Sequence, residues 1–359
     1  MSKNKLDNHV LKFPLKRIIK TNIATIHEID GITTSVSTKN SPIGESFLHV
    51  LGSLPCHEII QHIQKINLEA ENQQAFDSLS KWKIFWRDSF LTCKNKTEIF
   101  ALAALDIAAW DIFSKTEQKP LHQLLTSRAT QSVPVYGTTG WLSLSEKELI
   151  RECEKYAELN INGFKIRLGH PNDCERVKAV RNYMGPHYRL MLDATQQFNR
   201  EKGIEIARKM EAFNIVWLEE PVGNNIADLS AVKNNTDIPI AAGENIFTEK
   251  DFEEVLQSRA IDIAQPDIIR CGGITGFIAI AKKIESHKKL LCNHLLPELS
   301  VSVISAYSNC YFLELDDLLP DAIFKENFLI DANGNMQIPQ TIGTGVQLAK
   351  DTLKQFISR

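Results

Sequence analysis

From Ser132 onward, short apolar runs rich in β-formers alternate with amphipathic helical runs. The short runs are VPVYG (133–137), GFKIR (163–167), RLMLD (189–193), IVWLE (215–219), IPIA (238–241), IDIAQ (261–265), LLC (290–292) and YFLEL (311–315). Strand–helix alternation repeated this often predicts parallel strands joined by right-handed crossovers. Eight units favour an α/β fold of the (β/α)8 barrel type over an open sheet, although periodicity by itself does not close the sheet. The stretch from Ser145 to Asn160 shows how one helix is specified. Ser145 and Glu148 form a capping box, and Leu149, Ile150, Cys153 and Ala157 share a face.

The chain before Ser132 has a different order. Residues 14–51 read as extended, with loose alternation from Ile18 to Ile29 and a β-branched run at Gly31 that ends in the turn residues Lys39 to Pro42. Residues 54–125 read as helical. Thr97 is the expected N-cap of EIFALAALDIAAWDIFSK, and Pro120 stops or redirects that helix. Strands followed by helices predict a separate α+β domain.

The formal net charge of -3 supplies no basic field for nucleic acid. No apolar run approaches the ~20 residues of a membrane helix, and the polar first residues lack the apolar core of a secretory signal. The seven cysteines are odd in number, scattered and free of any C-x-x-C pair. That usage fits reduced thiols in a cytoplasm better than a disulfide framework or a zinc site.

Charged residues stand at or just past the end of nearly every strand. Lys165 and Arg167 close the second strand, Asp193 the third, Glu219 and Glu220 the fourth, and Glu244 follows the fifth. Asp267 follows the sixth, His294 the seventh, and Glu314 lies on the eighth. In a barrel these ends converge on one mouth, where active sites form. Any one of them has a plain structural explanation: a helix N-cap for Asp193, a polar strand end for Lys165 and Arg167, a core histidine for His294. Together, three carboxylates from consecutive strands would repel one another unless a positive charge joined them. A hard divalent cation, magnesium, is the economical candidate at Asp193, Glu219 and Glu244.

In order, these residues stand in K-x-R, LMLDATQ, WLEEPV, AAGEN, QPDIIRCGGIT, NHL and FLELDD, with PIGES (42–46) before them and IGTGVQL after. The chain resembles the enolase superfamily, and within it the mandelate racemase-like subgroup, collinearly from about Pro14 to the C-terminus. The resemblance implies a capping domain over residues 1–128, a catalytic barrel over 129–340 and a segment over 341–359 that returns to the cap. It implies magnesium on Asp193, Glu219 and Glu244, a His294–Asp267 dyad, and Glu314 hydrogen-bonding a substrate carboxylate. Lys165 matches the first lysine of the family's K-x-K motif. Two positions depart from the pattern: Arg167 replaces the second lysine, and Thr195 replaces a usual asparagine. Arg270 lies near the position where a muconate-lactonising relative carries a catalytic lysine.

The implied chemistry is removal of the α-proton of a small carboxylate substrate. A metal stabilises the resulting charge, Lys165 adds a second positive charge, and Glu314, if burial keeps it protonated, donates a hydrogen bond. His294 is the expected base, oriented by Asp267. A guanidinium is a poor base, so Arg167 leaves one face of the substrate carbon without one. Dehydration of an acid sugar, which needs His294 alone, is therefore expected. Racemisation or epimerisation of a 2-hydroxy acid is the alternative, and a non-catalytic binding protein on the same scaffold is a second. Lys16, Arg17, Lys20, Asn22 and His27 form a polar set in the cap. They serve either a hydroxylated or diacid substrate or a solvated edge. Barrels of this kind often assemble, so a homo-oligomer is expected.

Overall fold

A β-meander comes first among the described elements, its first strand alternating buried and solvated positions and its third buried almost throughout. It comprises β1 (Lys5–Lys20), β2 (Thr25–Ser37) and β3 (Gly44–Val50), paired antiparallel in the order β1-β2-β3. The computed structural model describes residues 5–20, 25–39, 41–51, 54–325 and 328–358. Extended structure begins at Lys5, well before Pro14, and the β1–β2 register slips between Pro14 and Ile19. Proline has no N–H to give the ladder, which accounts for an irregularity beginning there.

Four helices follow: α1 (Cys56–Asn72), α2 (Leu79–Thr92), α3 (Lys96–Thr116) and α4 (Leu121–Leu125). Every residue of α3 from Phe100 to Ser114 is buried. Its alanines let the cap lie close: a Cβ at Gly44 would stand 2.2 Å from the Ala108 carbonyl oxygen. The N-cap of α3 is Asn95 and not Thr97. Asn95 keeps an extended backbone and accepts from the Glu98 N–H at 3.0 Å, whereas Thr97 is already helical and donates its hydroxyl to Asn95. Pro120 redirects the chain, standing just before α4.

The barrel begins with β4 (Ser132–Gly140), α5 (Glu146–Glu158), β5 (Gly163–Arg167) and α6 (Asp173–Met184). It continues through β6 (Arg189–Asp193), α7 (Arg200–Met210), β7 (Ile215–Glu219) and α8 (Ile226–Lys233). Next come β8 (Ile240–Ala242), α9 (Glu249–Ser258), β9 (Ile263–Ala264) and α10 (Ile274–Ser286). It ends with β10 (Leu290–Cys292), α11 (Pro297–Ile304) and β11 (Cys310–Leu315). Pairing of β11 back onto β4, Leu313 opposite Val135, closes the parallel barrel. The fifth and sixth strands are shorter than their apolar runs because Ile238 and Ile261 belong to the approaching loops. The capping box of Ser145 and Glu148 starts α5. Its buried face is Leu149, Glu152, Cys153 and Tyr156, while Ala157 is exposed.

Inside the barrel, Tyr136, Met191, Trp217, Ala241, Ile263, Cys292 and Phe312 form a separate apolar cluster. It is the floor on which the polar mouth rests. Beyond the barrel, β12 (Asn335–Gln337) pairs antiparallel with β4, and α12 (Lys350–Leu353) leads to a tail whose Ile357 bridges Leu11 of β1. Polar contacts, Asp106 and Arg17 among them, tie the N-terminal elements to the barrel. Asp106 of α3 accepts from Trp82 Nε1 at 2.6 Å and from the Thr275 N–H of α10 at 2.8 Å. Gly273, at φ +103°, makes room for it, since a Cβ there would lie 2.5 Å from Asp106 Oδ2. Arg17 of β1 grips Glu152 of α5 with both nitrogens, at 2.8 and 3.1 Å.

Candidate active site

Parallel register brings the charged strand ends to one level. Arg167 lies opposite Asp193, and Asp193 opposite Glu219. Lys165, two residues earlier on β5, points to the same side one layer deeper. Asp193, Glu219 and Glu244 are all buried. Their donors are oxygen alone, the chemistry of a hard divalent cation site. Burial and then the Asp193 charge push the Glu219 carboxyl above the ordinary carboxylate range. A cation is what such a group of acids would take.

Among the described residues, no three such side chains form a ready-made metal cage. Each carboxylate is turned onto a cation of the chain. Lys165 Nζ stands 3.0 Å from both Glu219 oxygens, 2.6 Å from Glu314 and 3.5 Å from Asp193. Burial works against the Lys165 charge, but Glu219, Glu314 and Asp193 outweigh it and raise its pKa. Arg167 Nη1 is paired with Asp193 and reaches Thr195 Oγ1 at 3.3 Å. Its guanidinium lies 5.0 Å from the Trp141 ring. Thr195, at φ +47°, donates its N–H to Asp193 Oδ1 at 2.7 Å, so it holds the carboxylate from the other side.

His294 is buried between two carboxylates. Nδ1 is 2.7 Å from Asp267 Oδ2, and Nε2 is 2.8 Å from Glu244 Oε2. A backbone bridge between Asp267 and His294 sets their register. Burial opposes charging the ring, yet Glu244 and Asp267 prevail and raise its pKa to about 10. The surroundings thus stabilise the imidazolium, the form a base takes after accepting a proton.

Glu314 differs from the expectation of a protonated donor. Burial alone would raise its pKa, but the Lys165 charge lowers it below the ordinary value. The ionised carboxylate accepts from the Leu295 N–H at 2.8 Å and pairs with Lys165. Its place is fixed by Asn293, which accepts the Glu314 N–H at 2.8 Å.

The polar set of the cap is divided. Arg17 is engaged with Glu152 and Asp317. Lys20 and His27 are exposed. Asn22 and the side chain of Lys16 lie outside the described residues. Besides Asn293, contributors to the mouth without an assigned part in the sequence reading include Trp141, Gln265 and Gln196. Trp141 stacks on Arg167, Gln265 donates to Glu219 at 2.9 Å, and Gln196 donates to Glu220 at 2.9 Å. Gln265 and Gln196 stand inside QPD and DATQ, next to charged residues, and that adjacency was their signal. Trp141 lies in a loop after β4 and had none.

The family pattern described as mandelate racemase / muconate lactonizing enzyme, N-terminal domain, matches residues 15–126. The pattern described as enolase C-terminal domain-like matches residues 148–352. The chain belongs to the mandelate racemase and muconate lactonizing enzyme family of the enolase superfamily. An L-talarate/galactarate dehydratase of Salmonella typhimurium is 31% identical over 299 residues, 81% of this chain and 74% of the relative. An arabinonate dehydratase of Saccharolobus solfataricus is 28% identical over 349 residues, 92% of this chain and 91% of the relative. A crystal structure of L-talarate dehydratase from a Polaromonas species, complexed with Mg and L-glucarate, superposes with a TM-score of 0.89 at 26% identity. That match covers 99% of this chain and 98% of the other. No described helix of this family member is long and apolar enough to cross a membrane.

Proposed function

We propose that this protein is a magnesium-dependent acid-sugar dehydratase, forming a 2-keto-3-deoxy acid from a hydroxylated carboxylate. Asp193, Glu219 and Glu244 would hold the metal. Bound magnesium supplies Lewis-acid stabilisation of the negative charge that builds on the substrate carboxylate. Lys165 adds a fixed positive charge beside it, kept in place by Glu314. His294 takes the proton from C2 and then delivers it to the hydroxyl leaving C3, so water departs and leaves an enol, which becomes the 2-keto acid as C3 takes a proton from water and the enol hydroxyl gives one up. Asp267 holds the ring through Nδ1, and Nε2, which faces Glu244 at 2.8 Å, would accept the proton once Glu244 turns to the metal it would hold. In this reading residues 1–128 are the cap, 129–340 the catalytic barrel and 341–359 the segment that returns to the cap.

The observation that carries the choice of dehydration is Arg167. β4 and β11 lie between β5, which bears Arg167, and β10, next to His294. A lysine at 167 would offer a second base. The guanidinium, paired with Asp193 and stacked on Trp141, offers none. The dehydratase activity of the two relatives supports the same reading.

A panel of acid sugars incubated with the protein tests it, with 2-keto product as the readout. Product is expected from at least one hydroxylated acid in the presence of Mg²⁺ and none after chelation. Inversion at C2 without keto product would replace dehydration by epimerisation. No product and no Mg²⁺ binding would leave the non-catalytic scaffold.

A further inference from the structure

Arg270 has no part in the chemistry above, yet its guanidinium is hydrogen-bonded three times through one nitrogen. Its Nη1 donates to the Glu244 carbonyl oxygen at 3.0 Å, to Asn245 Oδ1 at 2.9 Å and to Glu244 Oε1 at 3.2 Å. Its Nε lies 3.7 Å from Asp267 Oδ2. Its own backbone N–H donates to Asp267 Oδ1 at 2.9 Å, and that of Ile269 does so at 2.8 Å. One planar group therefore spans the ends of β8 and β9.

The link continues in both directions. Asn245 Nδ2 donates to Glu220 Oε2 at 3.0 Å, and Gln196 Nε2 donates to Glu220 Oε1 at 2.9 Å. Glu220 is buried and held at φ +39°, a left-handed conformation that a non-glycine residue rarely adopts. On the other side Asp267 binds His294. Gln196, Glu220, Asn245, Arg270 and Asp267 thus lace together successive strand ends. In this lacing Arg270 joins the carboxylate side to the dyad.

We propose that Arg270 is a positioning residue that sets the spacing of the His294–Asp267 dyad from Glu244. This role rests on the function proposed above. The plainer account is that Arg270 merely neutralises buried carboxylates. The two accounts separate on geometry. The guanidinium is a rigid plane: Nη1 donates to the Glu244 carbonyl and the Asn245 amide, while Nε, held in the same plane, faces Asp267 Oδ2 at 3.7 Å as an ion pair. A lysine brings the same charge as a single point on a flexible stem. Charge neutralisation survives Arg270→Lys; positioning does not.

The test uses the full chain with Arg270→Lys, and Asn245→Ala as a second variant that keeps the arginine but removes its 2.9 Å acceptor. Thermal unfolding reports folding, and calorimetry reports Mg²⁺ binding. The far-downfield proton resonance of the His294–Asp267 hydrogen bond, assigned by its loss in His294→Asn, reports the dyad without any substrate. Steady-state kinetics on the acid found in the panel report turnover. Positioning predicts a displaced resonance in Arg270→Lys and a smaller displacement in Asn245→Ala, with the unfolding midpoint and Mg²⁺ affinity retained. It also predicts a kcat loss of about 10–100-fold in Arg270→Lys with little change in KM, the scale expected of a misplaced catalytic group. A resonance and kcat equal to wild type in Arg270→Lys would overturn it, as would losses that only track the folded fraction. If wild type turns over no acid, the dehydratase reading fails while the resonance still decides on Arg270.

Discussion

At Arg167 the same side chain serves a carboxylate, a hydroxyl and an indole ring, and none of these contacts leaves it a proton to exchange near neutral pH. Arg167→Lys should therefore place a titratable amine on the second face of the substrate. The expected outcome is a lower dehydration rate together with inverted acid, detected by chiral chromatography; dehydration alone at the wild-type rate would show that residue 167 does not decide the reaction. His294→Asn should lower kcat by about 10²–10⁴-fold, the usual worth of a positioned acid–base group. Its thermal midpoint should fall, because asparagine leaves the buried carboxylates of Asp267 and Glu244 without the cation between them, so kcat is compared per folded enzyme. The strand-end residues were legible in sequence because parallel strands deliver their last residues to one place. The state of Glu314 was not. It depends on Lys165, which meets it only after the barrel closes β11 onto β4.

Elements were legible in type more than in extent. Every apolar run became a strand, but the two central ones shrank because register with neighbours, not hydropathy, ends a strand. The cap of α3 shows the same limit. Asn95 and Thr97 are both acceptable cap residues, and only the backbone angles distinguish them. Asn95→Ala should cost about 1 kcal/mol in chemical denaturation. Thr97→Ala should cost clearly less; equal losses would mean that the cap is shared. The third antiparallel partner, β12, was not foreseen at all. Its three residues are too few to carry a periodic signal, and its pairing with β4 is entirely non-local.

At the scale of the whole molecule, the N-terminal strands and helices dock on helices of the barrel, Arg17 on Glu152 of α5 and Asp106 on Thr275 of α10. The order of strands then helices before the barrel was legible, whereas their docking was not, because Arg17 and Glu152 are far apart in sequence. Burial opposes ionisation of Glu152, but hydrogen bonds from Arg17 and Lys155 prevail and hold its pKa at about 2, against an ordinary 4.5. Between those values the unfolded chain binds more protons than the folded one. The contribution of the pair is thus complete above pH 4.5 and is lost as pH falls through about 2. Glu152→Gln should be less stable than wild type at pH 6, and the difference should shrink on acidification; a constant difference would show that Glu152 does not carry it. The central claim, that His294 removes the α-proton and dehydration follows, is tested most directly by proton NMR in D2O. The active acid sugar is incubated with Mg²⁺ and either wild type or His294→Asn. Wild type should give 2-keto acid with one deuterium at C3, and His294→Asn should leave the C2 proton in place. Loss of the C2 proton in His294→Asn at the wild-type rate, or its exchange in wild type with inversion and no keto acid, would contradict the account.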